Sequence, residues 1–295
     1  MRIVTLTPGA TEIAIALGLE SAIIAAGPNC RIPDRVRGVQ RVDFGAAHGA
    51  PMAEVIADRV AALNPNAVLA TNLPNEISER LQSVPNLTVI DLAISSIDEL
   101  FDGIRLAGEG LGAGSAAKLA LRGLSYRKRR IETITDSVQH DARPRVLFLE
   151  ALSPLLGAGY WNPELVALAG GRNLHGKPGV APRRTQLEHI SVLDPDVIFV
   201  AASHAEFGTV RSMLDQIADA HSDWGVLRAI AHDRVFIAEA TGAFDTPGPS
   251  MIDGLEVLAY TLHPHRHRTP TSTVNLLHVK RDEKGLLDLT SPTDE

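Results

Sequence analysis

One six-residue pattern occurs twice, about half a chain apart: Leu63-Asn64-Pro65-Asn66-Ala67-Val68 and Leu193-Asp194-Pro195-Asp196-Val197-Ile198. Each copy follows a stretch of helical periodicity and runs into a short apolar stretch of strand character. Proline removes a backbone donor and disfavours helix at the residue before it, so the helix must stop there. The polar turn that follows launches a strand. A helix-stop-strand unit used twice restricts the chain to two similar halves, each with strands and helices in alternation.

The rest of the sequence agrees with that reading. Residues 2–6, 23–26, 67–70 and 87–90 read as strands, and residues 10–17, 55–63 and 75–82 as helices, with Gly18 ending the first. A second series follows: strands at 145–149, 197–201 and 235–238, and helices at 163–169, 187–193 and 252–262. Strands alternating with helices imply parallel sheets covered on both faces. Between the two series, residues 114–140 carry no strand signal and are rich in good helix formers until Pro144. The expected fold is therefore α/β, with two similar lobes of mainly parallel sheet, one long rigid helix joining them, and a ligand cleft between the lobes. The expected boundaries are 1–112 for the first lobe, 113–141 for the bridging helix, 142–264 for the second lobe and 265–295 for a polar tail. That tail reads as mobile or peripheral, although Leu276-Leu277 and Leu286-Leu287 offer apolar docking points.

With 295 residues, 45% of them hydrophobic and 21% charged, the chain has the composition of a globular protein with two ordinary cores. A net charge of -7 argues against non-specific nucleic-acid binding, which needs a basic face. No apolar run is long enough to span a membrane. Residues 1–6 pass directly into a strand, so no leader is expected and the location read from them is cytoplasmic. A monomer is expected.

Few motifs carry chemistry. There is no P-loop, nucleophile elbow or His-Glu-x-x-His, and no catalytic residue or intrinsic cofactor is assigned. Gly108-Glu109-Gly110-Leu111-Gly112 lies between helices instead of after a strand, the wrong context for a dinucleotide site. His263, His265 and His267 alternate past the last helix, where adventitious metal uptake is a better reading than a functional site, so no metal is assigned. The run Arg127-Lys128-Arg129-Arg130 suits either an anion site or the solvated face of a helix, and the second reading is the simpler. A lone cysteine, Cys30, is more often structural than reactive. Aromatic residues make up only 4% of the chain, so their places are informative. Tyr160 and Trp161 lie in Gly157-Ala158-Gly159-Tyr160-Trp161-Asn162-Pro163, and Phe244 lies in Gly242-Ala243-Phe244-Asp245-Thr246-Pro247-Gly248-Pro249. Both segments are strand-to-helix loops, where α/β proteins bind ligands. Their rings suit a flat, partly apolar ligand, or else anchor the loops to the core.

Residues 2–13 followed by Ala16-Leu17-Gly18-Leu19 resemble the opening of the cobalamin-binding branch of the helical-backbone solute-binding proteins that serve ABC importers. The likeness continues at 145–150, 157–165, 193–198, 224–235 and 247–256, and spans about residues 1–264. It implies a non-catalytic protein that binds cobalamin or a related corrinoid, with contacts at Pro8, Thr11, Asn29, Cys30, Tyr160, Trp161 and Phe244. Backbone N–H groups at Thr11 and Asn29 are expected to face polar ligand edges. ABC permease subunits are the implied partner, docked through Glu76 and Glu188. Siderophore, haem and zinc receptors belong to the same wider group, so another metal chelate is the alternative ligand, and a leaderless cytosolic corrinoid carrier or sensor is the alternative role. The branch usually carries a His-Glu-Cys-Asp-Tyr-Pro-like segment. Here it is Pro28-Asn29-Cys30-Arg31-Ile32-Pro33, and aromatic positions near Ala70-Thr71 and Arg183-Arg184 are replaced. The departures leave room for a smaller, more polar or altered corrinoid, or for a different ligand altogether.

Overall fold

The computed structural model describes residues 1–43, 51–203, 212, 214, 227–240, 242–270, 274–281 and 287–290. Its two compact units are residues 1–125 with 246–250, and residues 126–245 with 251–295.

The twice-used pattern has the same atomic role in each unit. Strand β1 (Ile3–Thr5) is preceded by Arg2, and strand β6 (Arg145–Leu152) opens with Arg145. The Asn66 Oδ1 accepts from the Arg2 backbone N–H at 2.8 Å, and the Asp196 Oδ2 accepts from the Arg145 backbone N–H at 2.8 Å. The Arg2 guanidinium donates to the Leu63 and Asn64 carbonyls at 2.7 and 3.2 Å. The Arg145 guanidinium donates to Leu193 O, and to Asp194 O at 3.1 Å. Both are the unpaired carbonyls of a helix end, satisfied by a cation placed where the helix dipole favours one. Asn64 and Asp194 turn the chain with φ of 45° and 39°, a left-handed conformation that Asn and Asp tolerate better than other non-glycine residues. The pattern is thus an arginine-closed helix stop that also sets the start of the neighbouring strand.

In the first unit, β2 (Ile23–Ala26), β3 (Gln40–Arg41), β4 (Ala67–Thr71) and β5 (Thr88–Leu92) join β1 in a five-stranded sheet of order β3-β2-β1-β4-β5. Every pairing in it is parallel. Helices α1 (Pro8–Ala16), α2 (Met52–Ala62), α3 (Asn75–Gln82) and α4 (Ile97–Gly110) connect or follow these strands. Helix α1 opens with Pro8 in its first turn and closes on Gly18. There the Gly18 and Leu19 N–H groups bond back to Ile15 O and Ala14 O, and φ of 69° at Gly18 makes glycine the natural residue. Apolar side chains such as Val4, Leu6, Ile56, Val60 and Val68 fill the core.

Helix α4 has no counterpart among the expected helix limits. Its start is written in Ser95-Ser96-Ile97-Asp98-Glu99: Ser96 accepts from Glu99 N at 3.2 Å, and Glu99 Oε2 accepts from Ser95 N at 2.7 Å. This is a variant of the reciprocal cap that begins helices. Gly108 lies on α4 where an added Cβ would run into the Ala117 methyl. Gly108 therefore serves helix packing, whereas Gly112, with φ of 67° and open space around it, serves the turn that follows α4.

Helix α5 (Gly114–Thr135) is continuous, and the division into units falls inside it. In the second unit, β7 (Leu155–Gly157), β8 (Arg172–Asn173), β9 (Val197–Ser203), β10 (Val235–Ala240), β11 (Leu276–Arg281) and β12 (Leu287–Thr290) join β6. The order is β12-β11-β10-β9-β6-β7, with β8 beside the start of β6. The inner pairings β6–β9 and β9–β10 are parallel. The additions β7, β11 and β12 are antiparallel, so this sheet is mixed. Helices α6 (Asn162–Leu168), α7 (Leu187–Leu193), α8 (Arg228–Ala231) and α9 (Met251–Leu262) complete the described part. The tail reading is corrected for β11 and β12: residues 276–279 pair with β10, residues 278–281 pair with β12, Val279 is buried in the core, and the His278 ring stacks on Phe236 at 4.6 Å. Leu276 and Leu277 do dock, by strand pairing, while Leu286 and residues 224–226 of the family-like stretch lie outside the described residues.

Candidate functional site

The reversal of strand order in the first unit lies between β1 and β4, and loops at such a switch point are where open parallel sheets bind ligands. Thr7 and Thr71 follow and end those two strands. Their Oγ1 atoms lie 2.9 Å apart, and Thr7 Oγ1 accepts from Thr71 N at 2.9 Å. Pro8 starts α1 beside them. Thr11 is buried, and its hydroxyl donates to Thr5 Oγ1 at 2.7 Å. Its backbone N–H bonds to Thr7 O at 3.1 Å, so the donor expected to meet a ligand is already used inside the helix. Cys30 is buried, and its thiol lies 3.8 Å from Thr5 O. Burial pushes that thiol up from its ordinary range, which fits a packing cysteine instead of a nucleophile. Asn29 is exposed and is the outward-facing member of this group.

Gly9 explains a second family-like motif. An added Cβ there would run into Pro247 O, and one at Gly248 would lie 3.1 Å from Gly9 Cα and 2.6 Å from Glu12 Oε2. The carboxylate of Glu12 accepts from Ser250 N at 3.0 Å. Pro8-Gly9 and Pro247-Gly248-Pro249 are thus two halves of one close backbone contact in the first unit.

In the second unit the segment 157–162 is fitted against residues 175–185. An added Cβ at Gly159 would collide with the Pro182 ring, and one at Gly157 with the His175 ring. Tyr160 N donates to Val180 O at 2.7 Å, Gly179 N donates to Tyr160 O at 2.8 Å, and Gly157 N donates to Arg183 O at 3.0 Å. Glu150, on β6, accepts from Gly159 N at 2.7 Å and Asn162 Nδ2 at 2.8 Å, and Asn162 Nδ2 also reaches Phe244 O at 3.0 Å. Burial, with Asp245 nearby, raises the Glu150 carboxyl above the usual range, against the pull of those hydrogen bonds. One carboxylate therefore ties the Tyr160 loop, and through Asn162 the Phe244 loop, to the sheet.

The three aromatic candidates are placed differently. Tyr160 is 41% exposed, with φ of 49°, an unusual backbone state for a bulky residue and a kind of strain that tends to gather at functional loops. Trp161 is 4% exposed and stacks on Tyr160 at 6.0 Å, and its buried indole Nε1 has no hydrogen-bond partner among the described residues. Phe244 is 3% exposed and meets Phe148 and Phe199 edge-on at 5.6 and 5.3 Å. Phe244 thus packs into the core, in keeping with the alternative that its ring anchors the loop. No sequence signal separates the two cases, because both rings follow glycine-rich turns after strands.

Glu76 and Glu188 are exposed in the first turns of α3 and α7, where a carboxylate also complements the helix dipole. Among the described residues, no group of three or more His, Cys, Asp or Glu side chains is arranged to hold a metal. No described helix is long and apolar enough to cross a membrane.

The fold has solved relatives. It matches a periplasmic heme binding protein from Pseudomonas aeruginosa with a TM-score of 0.71 and 22% identity, covering 92% of this chain and 95% of that one. It matches the periplasmic vitamin B12 binding protein of Vibrio cholerae with a TM-score of 0.68 and 23% identity, covering 90% and 98%. In sequence, the vitamin B12-binding protein of Vibrio cholerae serotype O1 is 26% identical over 264 residues, which is 86% of each chain. The sequence profile of the family described as periplasmic binding protein matches residues 3–241. A family of periplasmic proteins lends no support to the cytoplasmic location expected from the opening residues. The chain belongs to the periplasmic binding protein family and is a non-catalytic solute-binding protein.

Proposed function

We propose that this protein binds a corrinoid, cobalamin or a close relative of it, outside the cytoplasm and delivers it to an ABC permease. The observation that carries the reading is the likeness to the Vibrio cholerae vitamin B12-binding protein over most of both chains. The ordered motifs at residues 2–19, 145–165 and 247–256 support it. The exposed Tyr160 ring, backed by Trp161, is the surface proposed to meet the flat corrin, and Asn29 the polar contact from the first unit. Pro8, Thr11, Cys30 and Phe244 are proposed to shape these loops from beneath. Glu76 and Glu188 are proposed as permease contacts.

Haem is the second reading, and one observation favours it: the exposed Tyr160 phenol is a chemically competent axial ligand for ferric haem. Titration of the purified protein with cobalamin, cobinamide, haem and a ferric siderophore, read by absorbance and tryptophan quenching, decides between them. One-to-one binding of cobalamin or cobinamide is expected. Saturable binding of haem, abolished in Tyr160→Phe, with none of either corrinoid, would replace the corrinoid reading by the haem one.

A further inference from the structure

The cationic run on α5 has a use that solute binding does not require. Arg127 pairs with Glu256 at 2.7 Å and Asp253 at 2.5 Å, and Lys128 pairs with Glu132 at 2.5 Å. Arg130 reaches Glu256 only at 3.5 Å. Arg127 and Arg130 line a cavity of about 540 Å³, together with Arg266, His267, Arg268 and Glu256. All of these residues belong to the second unit. Arg266 donates to Ser137 Oγ at 3.2 Å, and neither it nor Arg268 has a carboxylate partner among the described residues. Setting Glu256 and Asp253 against Arg127 and Arg130 still leaves two positive charges on the cavity wall, in a chain whose net charge is -7.

Two further features point to an anion. The His267 Nε2 is buried with no hydrogen-bond partner among the described residues, a state that costs free energy until something fills it. Burial, and to a lesser degree the neighbouring His263, Arg130 and Arg266, holds that imidazole below its ordinary range. The cavity is also too large for a bare phosphate. Apart from Thr269, its remaining wall is apolar: Ile131, Ile134, Pro270 and the ring of Tyr126.

We infer that this cavity binds an organic phosphate, the phosphate seated among Arg130, Arg266, His267 and Arg268 and its apolar or ring portion against Ile131, Ile134 and Tyr126. Arginine presents its donors as a planar fork that matches phosphate oxygens. The source is either a soluble phosphate ester or the headgroup of an anionic lipid. The inference is independent of which solute the protein carries.

The test uses the whole chain at low salt with two probes. Phenyl phosphate is titrated by calorimetry, with the His267 ring signals followed by NMR. Vesicles of phosphatidylcholine, with and without phosphatidylglycerol, are tested by co-sedimentation. Arg266→Ala with Arg268→Ala should weaken binding by about tenfold or more, the scale of losing charge-assisted hydrogen bonds. The paired lysine variant should recover part of it. Both arginines are exposed, so an unchanged melting temperature is expected to confirm the fold. Saturable binding of phenyl phosphate with movement of the His267 signals assigns a soluble ester. Binding to phosphatidylglycerol vesicles alone, lost in the alanine variant, assigns a lipid headgroup. Failure of both probes to bind, or equal binding by the alanine variant, overturns the inference.

Discussion

At Tyr160 a side chain and its backbone pull in opposite directions. The positive φ costs about 1–3 kcal/mol in a non-glycine residue, and the ring returns about 0.5–1.5 kcal/mol by stacking on Trp161. Tyr160→Gly should therefore leave the melting temperature unchanged or raised while it weakens ligand binding. Phe244→Ala should do the reverse, because it empties a space among Phe148 and Phe199, and losses of this kind cost about 3–5 kcal/mol in fold stability. Chemical denaturation beside ligand titration separates the two, and a Tyr160→Gly protein that binds normally would remove Tyr160 from the site. Glu150 supplies a pH test. Its carboxyl lies above the usual range when folded, so the folded state holds the proton more tightly than the unfolded state. Stability is then lost as pH rises from the ordinary carboxyl pKa through the raised one. Glu150→Gln keeps an oxygen acceptor for Gly159 and Asn162. It should flatten that part of the stability–pH curve and raise the melting temperature at neutral pH.

Among the elements, α5 and α9 are joined within the second unit by the Arg127–Glu256–Asp253 group. The Glu256 side chain is 9% exposed and that of Arg127 is 32% exposed. Removing the arginine leaves a mostly buried carboxylate without its main partner, so Arg127→Ala should destabilise by about 2–4 kcal/mol, just under the cost for fully buried pairs. Arg127→Met with Glu256→Leu should recover most of that loss, since apolar replacement of a buried pair is often neutral. Urea denaturation of both variants checks this, and a mild effect of the single substitution would mean that solvent reaches the pair. Elements also differ in how plainly they are written. Helix α3 and strand β2 match their expected limits residue for residue, because apolar spacing and flanking turns agree there. Helix α4 lies outside the expected helix limits, although a capping serine and glutamate announce its start. Strands β11 and β12 sit in a polar stretch, and a strand added at a sheet edge buries too few side chains to leave a strong apolar pattern.

For the whole molecule, the proposed part in import requires a partner, and Glu76 and Glu188 are the proposed contacts. Glu76→Ala with Glu188→Ala should abolish transport or permease complex formation and leave ligand affinity unchanged. The remaining association in single variants should weaken as salt rises, as expected of exposed charges. A double variant that still docks and transports would return both residues to the simpler part of helix-start carboxylates.

The order of strands and helices, the duplication and the family were legible because local rules produce them. Proline stops, glycine caps and apolar spacing act over a few residues. Which candidates face solvent was decided by packing between distant segments. Thr11 and Cys30 are turned inward onto β1, Phe244 completes a cluster begun by Phe148 and Phe199, and the arginines of α5 meet carboxylates more than a hundred residues away. Burial is a property of the neighbours that the fold brings together. A side chain's own sequence context holds no record of them.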